Sequence, residues 1–166
     1  MKKLSFLFAA LVMALTISAT EVTVSIADYA TANHWENSKQ YTSLTMDGIV
    51  TVTANPTTGN YNNTGKYYTS GNNWRMYQNE APEIVVKAAG GLLTSVTFTY
   101  EIDKTGVLID ADSAQVTSGT AYALDNVASA TFSVGNTDST VTKGQVRITA
   151  ITVSYEKDPN AVFYSV

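Results

Sequence analysis

Apolar and polar residues alternate along the chain from Glu21 almost to its end. The alternating segments fall at residues 22–26, 49–53, 83–88, 96–100, 131–134 and 146–155. Such period-two patterns predict strands with one face on a core and the other in water. Clusters of Gly and Asn between the segments predict tight turns, because these residues tolerate positive φ. Many short strands without long helices predict an all-β fold, an antiparallel β-sandwich or jelly roll.

The apolar phase changes within the last predicted strand. Val146 and Ile148 share one parity, whereas Ile151 and Val153 occupy the other. A strand moves its apolar side chains to the opposite parity only through an extra residue or a bend. We therefore predict a β-bulge near residues 149–151, and a strand that contributes to both sheets.

Residues 1–19 have the layout of a secretory signal peptide. Two lysines precede an apolar run at 4–17, and small residues follow at 18–20. This pattern predicts a signal helix and cleavage after Ala19, with Thr20 as the alternative. A membrane anchor is the competing interpretation, but a bilayer core needs roughly 20 apolar residues. Cleavage would leave no stable membrane span and predicts an extracellular or cell-surface protein, with the periplasm as the alternative.

The mature chain is predicted to form one β-sandwich domain at 20–157, followed by a tail at 158–166. Loss of Lys2 and Lys3 leaves eight basic and 14 acidic residues, a net charge of −6. This balance argues against a nucleic-acid partner, which requires clustered Lys and Arg. The chain has no cysteine, which excludes disulfides and thiol chemistry.

Catalytic motifs are missing from the sequence. His34, the only histidine, lies in a short helical turn predicted at 29–37, and no G-x-S-x-G motif occurs. A serine triad needs a histidine base, and His34, the one candidate, lies in this turn without a nucleophile motif beside it. One histidine also cannot supply a metal site built from several histidines. Most acidic residues fall in or beside predicted turns, where solvation explains them. We therefore predict a protein that is not an enzyme and has no cofactor.

Calcium is the one metal that the acidic residues suggest. Asp110 and Asp112, like Glu101 and Asp103, place two carboxylates on one side of an extended chain. Calcium binds such oxygens together with backbone carbonyls. The alternative interpretation is a solvated strand edge.

An aromatic-rich hairpin is predicted at residues 66–78. In its second strand Trp74, Met76 and Gln78 share one face, and Arg75 and Tyr77 the other. An exposed aromatic ring beside amide and guanidinium groups suits a sugar. The alternative is that Trp74 and Met76 belong to the core. The candidate ligand-binding residues are Tyr67, Trp74, Arg75, Tyr77 and Gln78.

The runs GKYYTSGNNWRMYQ, SVTFTYE, SGTAYAL, ATFSVGNT and KGQVRITAITVSYE resemble a β-sandwich module of exported Bacteroidetes proteins. The resemblance extends from Ser25 to Tyr155. Its signature stretch is matched by Trp74, Arg75, Tyr77 and Gln78, and its last strand is matched by residues 144–149. That module recurs in large surface proteins and beside secreted enzymes. The resemblance implies an exported, non-catalytic β-sandwich.

Two functional hypotheses follow from these patterns. The first is a secreted binding or adhesion module that binds glycan or extracellular matrix through the hairpin. The second is a structural or self-assembling extracellular subunit, which pairs through sheet edges or the apolar tail at 158–166. The oligomeric state is not encoded in any of these motifs.

Overall fold

The structure is a computed structural model that describes residues 19–59 and 62–157. The predicted signal helix, apart from Ala19, and the tail at 158–166 lie outside the described residues. The strands are β1 Thr20–Ser25, β2 Ser43–Met46, β3 Val50–Asn55, β4 Lys66–Tyr68, β5 Asn73–Tyr77, β6 Glu83–Ala88, β7 Gly91–Asp103, β8 Gly106–Ile109, β9 Gln115–Val116, β10 Tyr122–Val127, β11 Ser129–Asn136 and β12 Gln145–Lys157. A helix, α1, spans Ile26–Ala32, and a 3-10 turn spans Gln78–Glu80.

The strands form two antiparallel sheets of six strands each. The first sheet has the order β10-β7-β12-β5-β4, with β1 also paired to β12. The second has the order β2-β3-β6-β11-β8-β9. The prediction of an all-β antiparallel sandwich is therefore confirmed.

Apolar side chains from both inner faces fill the space between the sheets. Trp74 and Phe98 of the first sheet and Phe132 of the second are among the largest side chains that are fully buried. The rings of Phe98 and Phe132 meet edge to face across the layers, with centroids 5.1 Å apart. Burial of this apolar surface is the main force holding a domain without disulfides together.

Helix α1 begins three residues before the start of the predicted turn, and it ends five residues before the end of that turn. One short helix near residues 29–37 is confirmed, but it lies at Ile26–Ala32 because Ser25 caps it, accepting a hydrogen bond from the Asp28 amide at 3.4 Å. A serine followed three residues later by an acid is a helix-start pattern. His34 and Trp35 consequently lie in the turn after α1.

The predicted bulge in β12 is confirmed. Ile148 pairs with Tyr100 and Ala150 with Thr99, which leaves Thr149 as the extra residue. A second shift leaves Thr94 of β7 unpaired between Ser95 and Leu93, and it restores the original register. Every pairing of β12 lies within the first sheet, with β1, β5 and β7, so the prediction that it joins both sheets is wrong.

Candidate functional site

The hairpin of β4 and β5 turns its largest rings into the core. Trp74 is 0% exposed and Tyr67 is 4% exposed. Neither ring is accessible, so their assignment as exposed ligand-binding residues is wrong. The alternative interpretation, that Trp74 and Met76 belong to the core, is confirmed.

The indole of Trp74 is also held by hydrogen bonds. Its N–H donates to the carbonyl oxygens of Tyr41 at 2.8 Å and Gly65 at 2.9 Å. Gly65 has φ +83°, and a Cβ there would lie 2.7 Å from the Tyr41 oxygen. The glycine is required because only a residue without a side chain allows the two backbones to approach this closely.

Trp35 closes this end of the sandwich as the centre of an aromatic cluster. Its ring stacks on Tyr41 at a centroid distance of 4.4 Å and an interplanar angle of 5°. It also contacts Tyr29, Tyr67 and Trp74 at centroid distances of 5.3, 5.9 and 6.0 Å. The cluster brings together residues that are far apart in sequence. It was not predicted, because Trp35 was expected to lie within the helical turn at 29–37.

Gln78 fixes two loops of its own chain. Its side-chain carbonyl accepts hydrogen bonds from the Asn136 amide group at 3.0 Å and the Gly144 N–H at 2.9 Å. Because this oxygen is already engaged, the structure assigns Gln78 a positioning role and corrects its placement among the ligand-binding candidates.

Arg75 and Tyr77 point to the outer face of the first sheet, as the alternation predicts. The Arg75 guanidinium carbon lies 3.7 Å above the centre of the Tyr68 ring. Its Nε donates to the Asn73 side-chain oxygen at 2.8 Å. Burial, followed by the neighbouring Tyr68 hydroxyl, raises the pKa of Tyr77. Tyr77 is therefore a neutral hydrogen-bond donor at physiological pH.

The register of β12 and β7 extends this surface. Arg147 lies opposite Arg75, and Gln145 lies opposite both Tyr77 and Asp103. Arg147 forms an ion pair with Asp103 at 2.7 Å and donates from Nε to Gln145 at 2.8 Å. We define the Arg75 face as the side chains of Tyr68, Arg75, Tyr77, Gln145, Arg147 and Asp103.

An open groove of about 220 Å³ adjoins the Arg75 face. Tyr77, Asp103 and Gln145 belong to both, so the face continues into the groove. The remaining lining residues are Asn63, Asn79, Lys104 and Lys143. Phenol, amide and ammonium groups therefore converge on one shallow site, which can donate and accept several hydrogen bonds.

Asp110 stabilises a turn. One carboxylate oxygen accepts the N–H groups of Asp112 at 2.9 Å and Ala114 at 2.8 Å. The other accepts the Tyr122 hydroxyl at 2.6 Å, and this bond is the main cause that lowers the pKa of Asp110. The carboxylate is thus engaged by donors from its own chain.

A calcium ligand set does not form at either pair of acids. Asp103, of the second pair, is engaged by Arg147. Across residues 19–59 and 62–157 no group of three or more His, Cys, Asp or Glu could hold a metal ion. The structure therefore gives the calcium interpretation of Asp110 and Asp112 no support.

Several residues of this site were not identified from the sequence. Alternation within 66–68 could have placed Tyr68 beside Arg75, because Tyr67 and Tyr68 must point to opposite faces. Gln145, Arg147 and the two groove lysines depend on strand register and loop placement, which local sequence does not reveal.

No helix in the described part of the chain is long and apolar enough to cross a membrane. Comparison with protein-family models, curated proteins and solved structures finds no match to this chain.

Proposed function

We propose that this chain is an exported, non-catalytic binding or adhesion module that holds glycan on the Arg75 face. One observation carries the proposal. The partly exposed rings of Tyr68 and Tyr77 lie with the Arg75 guanidinium on an open sheet surface, beside a groove lined by amide and ammonium groups.

The chemistry of this surface suits sugars. The C–H faces of a sugar ring pack on aromatic rings, and its hydroxyls pair with amide, phenol and guanidinium groups. Asn79 supplies an exposed amide to the groove, and Tyr77 supplies a neutral hydroxyl. The other two amides, of Asn63 and Gln145, are engaged by side chains of their own chain. Because the site is shallow, several weak contacts along a polymer suit it better than one enclosed monosaccharide.

The predicted signal peptide and the resemblance to an exported module support an extracellular or cell-surface location. Strand β1 begins at Thr20, immediately after the predicted cleavage site. Cleavage after Ala19 would therefore release the sandwich with all twelve strands, whereas cleavage after Thr20 would shorten β1.

The position of His34 supports a non-catalytic role. It is exposed, has φ +54° and lies in the turn after α1, on a different part of the chain from the Arg75 face. His34 is not among the residues that line the groove, so it is not placed to act as a base on a ligand bound there.

Affinity gel electrophoresis through immobilised polysaccharides tests the proposal. We expect at least one polysaccharide to retard the protein, and we expect Arg75→Ala and Tyr77→Ala to lose that retardation. Because the proposed module is not catalytic, incubation with the protein should not increase the number of reducing ends in that polysaccharide. Lys87→Ala is the control, because Lys87 is exposed on the outer face of the second sheet. Unaltered mobility with every polysaccharide on a broad panel would argue against glycan binding.

A structural subunit that pairs through sheet edges is the second candidate. Strands β1 and β10 are edge strands of six residues each, long enough to pair with another chain. The apolar tail at 158–166 lies outside the described residues. Light scattering before and after deletion of residues 160–166 tests this candidate. A monomer in both samples would show that the tail does not drive assembly.

A further inference from the structure

The Arg75 face concentrates positive charge on a chain that is acidic overall. The whole chain carries a net charge of −4. Yet Lys66, Arg75 and Arg147 are direct cross-strand neighbours on β4, β5 and β12. Side chains in such positions start roughly 5 Å apart, and like charges there destabilise the sheet. The row ends at Glu101 of β7, which lies opposite Arg147 and is not a direct neighbour of Arg75 or Lys66. The three adjacent cations therefore oppose folding unless further negative charge neutralises them.

The protein neutralises only part of this row. Arg147 is paired with Asp103 at 2.7 Å. Lys66 donates instead to the neutral Asn63 side chain at 3.2 Å, and Arg75 contacts Tyr68 and Asn73. Within residues 19–59 and 62–157, no carboxylate lies within ion-pair distance of Lys66 or Arg75.

The groove beside this row adds two further cations. Lys104 and Lys143 line it together with Asp103, the one carboxylate among the described residues of the groove. Five of the eight basic residues that follow Lys3 thus belong to the row or to the groove. An anionic ligand would supply the negative charge that the described part of the chain does not place beside Lys66 and Arg75.

We propose that the glycan bound here is an acidic polysaccharide whose uronate carboxylates pair with Arg75 and Lys66. This inference rests on the proposed glycan-binding function and adds the charge of the ligand. A guanidinium matches a carboxylate with two parallel hydrogen bonds, and an ammonium supplies a second point charge. Tyr77 and the exposed amide of Asn79 then take the sugar hydroxyls. A uronate polymer offers both groups at regular spacing.

Polygalacturonate and its carboxyl-reduced, neutral counterpart form the central comparison. We expect the protein to bind polygalacturonate at least about tenfold more tightly, because charge-assisted hydrogen bonds are lost in the reduced polymer. Arg75→Gln and Lys66→Gln should each weaken binding to polygalacturonate by about tenfold. Lys87→Gln makes the same change in net charge on the other sheet and should leave binding unchanged.

The variants remain informative through their stability. Arg75→Gln removes the like-charge contacts with its cross-strand neighbours but also the stacking on Tyr68 and the hydrogen bond to Asn73. These changes act in opposite directions, so we expect its melting temperature to change by only a few degrees while its binding falls about tenfold. An arginine with a purely structural role would lower the melting temperature when replaced and leave polygalacturonate binding by the folded protein unchanged.

Other outcomes overturn the inference in distinguishable ways. Equal binding of both polymers would show a neutral glycan ligand and leave the proposed function standing. Absence of polygalacturonate binding, with or without binding to neutral glycans, would rule out the uronate. Equally tight binding of dextran sulfate or duplex DNA would show recognition of charge alone and would also overturn the uronate assignment.

Discussion

At the scale of single residues, neighbours in β5 have opposite roles. Trp74 is fully buried, and the adjacent Arg75 is half-exposed on the outer face. Alternation predicts that they point to opposite sides. It does not state which side faces the core. That choice follows from packing, because Trp74 and Met76 together bury far more apolar surface than Arg75 and Tyr77 would.

Replacement of Trp74 tests its structural role. Trp74→Ala should lower the free energy of unfolding by about 3–5 kcal/mol, because it removes a buried ring and leaves a cavity. Arg75→Ala should change it by less than about 1 kcal/mol, since its side chain is partly solvated. Urea denaturation of both variants measures the difference. Similar values for the two would contradict the burial of the indole.

Glu80 is a buried acid whose role is to hold a loop. It is 2% exposed, and its carboxylate accepts hydrogen bonds from the Asn63 backbone at 3.2 Å, the Asn63 side chain at 3.0 Å and the Thr64 backbone at 2.6 Å. Glu80→Gln replaces one acceptor with a donor, which should lower the unfolding free energy by about 1–3 kcal/mol. Glu83→Gln, on an exposed strand position, is the matched control and should have an effect below about 0.5 kcal/mol. Equal effects would show that the carboxylate does not stabilise the loop.

The bond between Tyr122 and Asp110 makes stability depend on pH. The Tyr122 hydroxyl lowers the pKa of Asp110, so this carboxylate stabilises the fold above its unfolded pKa of about 4. The contribution is lost as pH falls through the lower folded pKa. Tyr122→Phe should therefore reduce stability at pH 7, by at most about 1 kcal/mol because the pair is open to solvent. Thermal melts at pH 7 and pH 2.5 measure the deficit, which should shrink at the lower pH. A deficit that grows in acid would show that Tyr122 does not stabilise the ionised form of Asp110.

At the scale of secondary structure elements, most of the long strands and the hairpin of β4 and β5 were predictable, whereas β2, β8, β9 and the six-residue β10 were not. Strands β3, β6, β7, β11 and β12 carry clear alternation. Strand β8 instead has buried residues in succession at Gly106, Val107 and Leu108, so period two never appears. Strands β2 and β9 have four and two residues, too few for a pattern to emerge. Their positions are fixed by neighbours in the second sheet.

The bulge in β12 yields a paired deletion experiment. Removal of Thr149 would leave Ile148 opposite Tyr100 and Ala150 opposite Thr99 as consecutive pairs, with every apolar side chain still facing inward. Removal of Thr152 would instead force the following residues onto the wrong face. We expect the Thr149 deletion to retain a cooperative unfolding transition and the Thr152 deletion to lose it, as followed by circular dichroism. Equal damage from both deletions would show that the bulge itself is required for folding.

At the scale of the whole molecule, the fold could be predicted and the site only in part. Period-two patterns and turn residues are local, and together they specify a sandwich. The Arg75 face combines β4, β5, β12 and β7, which are separated by up to about half of the chain. Arg75 and Tyr77 were found because they lie on one strand. Arg147 and Gln145 required knowledge of which strands are neighbours.

The pairing of the first strand with the last has a consequence for how the chain acquires its structure. Thr20 pairs with Tyr155 and Ser25 with Ala150, so the sequence separation of these contacts spans nearly the entire domain. Such a high contact order predicts slow folding that begins only after the C-terminal strand is available. A ribosome-bound chain that ends before Gln145 lacks the partner of β1, β5 and β7, and cannot complete the first sheet. The nascent polypeptide should therefore stay open to proteases until residues 145–157 have been synthesised, which limited proteolysis of ribosome-bound chains of increasing length would measure.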